Sequence, residues 1–266
     1  MSKEKVRSGE RQMIKDYNAQ RVKGADRSSI FATAGSLYRH HWKLLLPAAA
    51  LTGGLSLLFL WVNTAIGPLA NRILTVLFAP VITLGMLKLC WNIWEKGKAS
   101  LRDLLYALTE KQVLIPALCY YTLMQLFNSL HICVERLTIL PAWWSMLLDI
   151  LCIVFYAVIL IRLFMVEYLL LKGETLRITT LLKRSWQMTQ GQWQTILGFW
   201  WGVTWRGMLL MLLPMLLIVS AAGSLLTVTL AVGSLMIPYT PYVVLAQTGC
   251  FQKVAQVDRK RGNRGR

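Results

Sequence analysis

Four ionisable residues lie inside long apolar stretches of this chain: Lys88, Arg162, Glu167 and Arg206. A charge facing hydrocarbon at the centre of a bilayer costs ~2.5–3.5 kcal/mol on translocon scales, so each such residue needs a partner, a hydrated cavity or a functional task. Lys88 and Glu167 stand about 9 Å and about 6 Å from the nearer ends of their apolar runs, at 1.5 Å per helical residue. At that similar depth they can form an interhelical ion pair, or Lys88 can snorkel to the headgroups instead. Arg162 and Arg206 lie deeper, roughly 14–18 Å by the same rise. Glu167 can neutralise one of the three cations but not all, and Asp149 falls too near the opposite end of its run to meet Arg206. Two readings stay open: a polar clamp between helices, or a cavity open to the inner side that accepts an anionic group such as a lipid phosphate. Carbonyls freed by Pro214 are a further partner for the uncompensated charge.

Catalytic spacings are absent from the rest of the sequence. There is no GxxxxGK[ST], HExxH or GxSxG, and no Cys/His metal spacing. His40 and His41 are adjacent, so they point to different faces of a helix and chelate poorly, while His131 stands alone. The five cysteines (Cys90, Cys119, Cys133, Cys152 and Cys250) form no CxxC, and an odd count does not read as a disulfide framework. Cys133 and Cys152 fall near the same predicted face, where one bridge is conceivable; buried free thiols fit the set better. The sequence therefore predicts no catalytic residue, no metal and no cofactor, and a protein that is not an enzyme.

The elements that would position these charges follow from composition. Only 15% of residues are charged and 56% are hydrophobic, against about 25% charged in soluble domains. So little charge cannot cover a water-exposed surface of this size, and lipid removes the difficulty. Six segments reach the ~20 apolar residues that a helix needs to cross a bilayer: 44–64, 72–94, 113–133, 146–171, 194–219 and 222–247. The expected fold is all-α, a polytopic integral membrane protein of six transmembrane helices occupying residues 28–252, between a polar segment 1–27, expected to be disordered, and a polybasic tail 253–266. The first apolar run begins only near Leu44, so no cleavable signal peptide is expected.

Charge placement orients the spans. Segment 1–43, the stretches 95–112 and 172–193 and the tail from Thr248 carry ten, four, four and six of the 29 Lys and Arg, and six crossings put all four on one side. The other side holds Arg72 and Arg136. By the positive-inside rule both termini face the cytoplasm. Trp42, Trp91, Trp94 and Trp193 mark the inner interface, with Trp143 and Trp144 at the outer one. The net charge of +17 is thus spread over short connecting segments, which argues against nucleic acid as a partner. It favours the anionic headgroups of the lipid bilayer, through the basic termini.

Two amphipathic helices are expected at the inner interface. Ile30, Phe31, Ala34, Leu37, Tyr38, His41 and Trp42 recur at helical spacing before the first span, with Ser28 or Ser29 as cap. Leu176, Thr180, Leu181, Arg184 and Ser185 repeat the design before the fifth. Lys96-Gly97 and Lys172-Gly173, each followed by a hydroxyl residue and Leu-Arg, form an internal echo. It reads as a Gly C-cap and then a Ser100 or Thr175 N-cap, with ancestral duplication as the alternative. Pro238 and Pro241 should kink the sixth span, and Ala222 to Gly233 should give it a smooth packing face.

The combination of Lys183-Arg184-Ser185-Trp186-Gln187-Met188, Gly191-Gln192-Trp193 and Ile237-Pro238-Tyr239, with Ala79-Pro80 to Gly85 and Ser36 to Trp42, resembles the bacterial multi-pass family catalogued as domain of unknown function 975. The resemblance covers residues 28–252. It implies a six-helix protein of the bacterial cytoplasmic membrane with no established activity, and it carries over no functional residue. Arg162 and Arg206 are not among its matching residues. Two functions are therefore expected: a non-enzymatic protein that contacts lipid or partner proteins in envelope maintenance, or a small transporter or channel for an anionic or amphiphilic solute, with Arg206 and Arg162 lining the path.

Overall fold

The computed structural model describes residues 27–65, 67–135, 142–173, 177–221 and 225–264, and within them all regular structure is helical. Six long helices carry the architecture: α1 (Arg27–Ala65), α2 (Pro68–Lys96), α4 (Lys111–Glu135), α5 (Ala142–Leu163), α8 (Trp193–Ala221) and α9 (Leu225–Arg264). Between them lie a 3₁₀ turn (Leu101–Leu105) and three shorter helices, α3 (Tyr106–Thr109), α6 (Val166–Leu171) and α7 (Ile178–Thr189). The shortest of the six has 22 residues, about 33 Å at 1.5 Å per residue, enough to cross a ~30 Å hydrocarbon core. Among the described residues two stretches, Ile73–Lys96 and Ile150–Leu171, combine the length and apolarity needed for crossing, not the expected six. Parts of the other four expected spans, 56–57 with 59–64, 128–133, 213–219 and 222–236, lie outside the residues whose surroundings are described.

The core sits at one end of the bundle. Leu84 to Trp94 of α2, Leu163 to Leu171 across α5 and α6, and Leu245 to Ala255 of α9 are buried almost without interruption. The opposite halves of α2 and α5, and parts of α1 and α8, carry large exposed apolar side chains, among them Phe78, Phe155, Leu58 and Leu209. A soluble monomer seldom leaves so much contiguous apolar surface bare.

Both expected interfacial helices form, but protein covers part of each apolar face. The first is continuous with α1, set off by a kink at His41 (φ −109°, ψ 15°). Its Ile30 and Ala34 are buried, Phe31 stacks on Phe199 with ring centres 6.1 Å apart, and Tyr242 lies 6.4 Å away. Ser28 and Ser29 already lie within α1, which includes Arg27, so neither caps it. The second is α7, whose Leu181, Ser185, Met188 and Thr189 are buried along one stripe. Amphipathic periodicity demands an apolar neighbour without saying whether that neighbour is lipid or protein.

The expected fourth span is broken: α5 stops at Leu163 and α6 resumes at Val166. The last helix, α9, runs on past 247 to Arg264, and Val254 and Ala255 within it are buried. The capping echo is reproduced in its first copy. Gly97 is left-handed (φ 66°) and donates its N–H to the Ile93 carbonyl at 3.0 Å, and Ser100 and Asp103 form a capping box. In the second copy Gly173 is left-handed too (φ 64°), while Thr175 lies outside the described residues, as do residues 1–26 and 222–224.

Candidate functional site

The break between α5 and α6 organises the polar interior. Interrupting a helix frees backbone carbonyls that must find other donors. Ser185 of α7, fully buried, donates its hydroxyl to the Arg162 carbonyl at 2.7 Å, and Thr189 lies 3.5 Å from the same oxygen. The interfacial helix thus caps the broken span. Its position in turn sets the Arg162 side chain, whose guanidinium lies 4.8 Å from the centre of the Trp186 ring. A cation over an aromatic face is attracted by the ring quadrupole, by ~0.5–1 kcal/mol at exposed sites and more when desolvated.

Past the break, Glu167 occupies the first turn of α6. One carboxylate oxygen accepts the Tyr121 hydroxyl of α4 at 2.9 Å, and the other accepts the Gln247 side-chain amide of α9 at 2.9 Å. Both donors are neutral. The expected pair with Lys88 is not made: the Lys88 ammonium stands 4.4 Å over the Tyr106 ring, near Asp103, Glu110 and Glu95. Tyr106 is held in place by donating its hydroxyl to the Leu171 carbonyl at 3.1 Å. Burial, with Glu110 nearby, pushes its phenol above the usual tyrosine range, so it stays a neutral ring for the lysine.

Arg206 is far from this cluster in its contacts. Its guanidinium donates to the Gly202 carbonyl one turn back, at 3.0 Å, and lies 4.0 Å from the centre of the Phe31 ring. The carbonyl it takes is its own helix's, not one freed by Pro214. Phe31 is held between helices: a Cβ on Gly202 would come within 2.7 Å of its ring. Nearby, Tyr239 donates its hydroxyl to the Val203 carbonyl at 2.6 Å. Arg206 is exposed.

The four sequence-derived candidates therefore stand at separate places, Lys88 on Tyr106, Arg162 on Trp186, Arg206 on Phe31, and Glu167 alone among neutral donors. Tyr121 and Gln247 are the functional-site residues that sequence reading missed. The only signal for them was a polar residue within an otherwise apolar run, and many such residues merely bond their own helix, as Thr122 does to the Leu118 carbonyl. Among the described residues no group of three His, Cys, Asp or Glu could hold a metal. Cys90, Cys119, Cys152 and Cys250 are free thiols, and the Cys133 side chain of the conceivable bridge lies outside the described residues. Compared with known proteins, the chain matches no family model, no curated protein and no solved structure.

Proposed function

We propose that this chain is a six-span protein of the bacterial cytoplasmic membrane, both termini inside, that catalyses nothing and works through contact with anionic lipid and partner proteins at the inner leaflet. The placement of the two deep arginines carries this reading. Arg162 and Arg206 lie on separate aromatic rings, Trp186 and Phe31, and Arg206 is turned back towards the first turns of α8. In a helix that enters from the inner side, this direction leads towards the inner headgroups, as snorkelling requires. The exposed apolar side chains of the opposite half suit acyl chains. The basic ends add attraction to anionic lipid of up to ~1 kcal/mol per residue near the surface. Membership of the family catalogued as domain of unknown function 975 belongs to the same proposal.

An anion path lined by Arg206 and Arg162 is less well supported, because the two guanidinium groups lie on separate rings, Phe31 and Trp186. One experiment separates the readings. The protein is purified with its native lipid and compared by native mass spectrometry with Arg206→Leu and Arg162→Leu, and all three are assayed for anion flux in liposomes. The lipid reading expects normal yield, less retained anionic lipid in both variants, and no flux. Unchanged lipid retention together with a flux that the variants lose would establish transport instead. A reporter fused after Arg266 that is active only in the periplasm would overturn the topology.

A further inference from the structure

Counted along an unbroken apolar run, Arg162 is deep in the bilayer. The break after Leu163 changes that. α5 by itself has 22 residues, about 33 Å, and can cross a ~30 Å hydrocarbon core unaided. Arg162 occupies its last turn, so under the six-span reading it stands where the acyl chains of the inner leaflet meet their headgroups. α7 fixes the side chain at that level. Its Ser185 holds the Arg162 carbonyl, and the next residue, Trp186, places its ring 4.8 Å from the guanidinium.

The ring answers the charge of Arg162 but accepts none of its hydrogen bonds. A guanidinium carries five N–H donors in a planar fork, and no acceptor among the described residues takes them. Lys183 lies three residues before Trp186, hence on the same side of α7, and both are exposed. Among the described residues Lys183 too has no acidic partner. Two cations and an aromatic ring thus share the corner between α5 and α7 with their donors unfilled. The group that such a fork grips at two points is a phosphate or a carboxylate.

What carries that anion is read from α5. Val158, Phe155 and Leu151 precede Arg162 by four, seven and eleven residues, along one helix face, and are 44%, 62% and 56% exposed. From Leu151 to Arg162 the helix rises about 16 Å, close to half of the ~30 Å core and so to the depth of one leaflet. Ile153 on the opposite face is as exposed, at 57%, so the helix meets lipid all round, but only the first line ends in a cation. An apolar strip of one leaflet's depth that stops at a phosphate-gripping arginine matches a glycerophospholipid. A free anion from the cytosol would leave the strip unused.

We propose that the α5–α7 corner is a site for one glycerophospholipid of net negative charge from the inner leaflet. Its phosphate lies on Arg162 and Lys183 beside Trp186, and one acyl chain follows Val158, Phe155 and Leu151. A zwitterionic headgroup brings its own ammonium, which two cations with no carboxylate between them repel. The site rests on the lipid-contact reading and gives it a place and a stoichiometry.

Native mass spectrometry of the full-length protein in detergent, titrated with phosphatidylglycerol or phosphatidylcholine of identical chains, tests it. The parent is expected to bind its first phosphatidylglycerol about tenfold or more tightly than phosphatidylcholine, the scale of one charge-assisted hydrogen bond. It should not bind glycerol 3-phosphate at the same concentrations. Arg162→Gln is expected to lose the preference and Lys183→Glu most of it. Arg102→Glu, which reverses an exposed charge in the 3₁₀ turn, keeps it. Lys183 is exposed, so its variant reports even if Arg162→Gln fails to fold. A preference that every variant keeps, or that Arg102→Glu lowers as much as Lys183→Glu, overturns this site and leaves the broader lipid reading standing. Glycerol 3-phosphate that binds as tightly as the lipid overturns the lipid assignment. A parent with no preference between the two lipids overturns the lipid-contact reading itself, and this site with it.

Discussion

Replacing Gly85 by alanine probes the contact that closes the buried end of the bundle. A Cβ at this position in α2 would lie 2.0 Å from the Leu104 carbonyl oxygen and 2.7 Å from its carbon. Carbon and oxygen normally approach to about 3.3–3.6 Å even in close C–H···O contacts, so α2 and the 3₁₀ turn must separate by more than an ångström. The obstruction is backbone, pinned by the Ser100–Asp103 capping box on one side and by the Tyr106 bond to Leu171 on the other. It cannot swing aside like the tip of a side chain. Overpacking of this kind costs typically ~1–3 kcal/mol and occasionally more, a fall in melting temperature of about 5–10 °C at the upper end for a chain of this size. Gly54 of α1 is the matched control. It too is a helical glycine, but a Cβ there meets nothing within 4 Å, so Gly54→Ala should be neutral or raise stability by up to ~1 kcal/mol through helix propensity. Both variants would be purified in the same detergent and followed by thermal unfolding and size-exclusion chromatography. A Gly85→Ala protein that is monodisperse and melts with the parent would refute the close packing of α2 on the 3₁₀ turn.

Two other outcomes follow from the same geometry. Ser185→Ala leaves the Arg162 carbonyl without its 2.7 Å donor, which should cost ~1–3 kcal/mol as an unsatisfied buried group. Thermal unfolding should show a clear loss, whereas exposed Lys183→Ala on the same helix should lie within ~0.5 kcal/mol of the parent. His41, at the kink of α1, has its imidazole held below the usual histidine range, first by burial and then by His40. Its folded form resists protonation, so its contribution is complete above the unfolded histidine pKa of ~6.5 and is lost as pH falls through that value. His41→Gln should flatten the acid side of a stability–pH profile, and an unchanged profile would count against a half-buried His41.

Sequence and fold agree where chemistry is local. Gly97 ends α2 in the left-handed conformation because no side chain opposes it, and Ser100 with Asp103 starts the next turn. Three-residue spacing was enough to read both. Helical class was equally plain, since runs of more than 20 apolar residues satisfy their backbone within lipid only as helices or closed barrels. What covers an amphipathic face could not be read: Ile30 and Leu181 would look the same against acyl chains as against Trp94 or the α5–α6 junction. The pairing of Glu167 was missed for a related reason. Depth along a span gives one coordinate, whereas contact needs the rotation of each helix as well, and Lys88 is rotated towards Tyr106.

Residue types and their local spacing were enough to establish that this chain is helical, where its apolar runs lie, how its cations are distributed and that the familiar catalytic spacings are missing. These depend on residue type and on neighbours within one or two turns. Tertiary structure alone decided that α7 caps a broken span, that the arginines settle on Trp186 and Phe31, and that Glu167 keeps company with Tyr121 and Gln247. Those contacts join residues as far apart in the chain as Phe31 and Arg206. Helix rotation and packing set such distances, and no periodicity along the sequence records them.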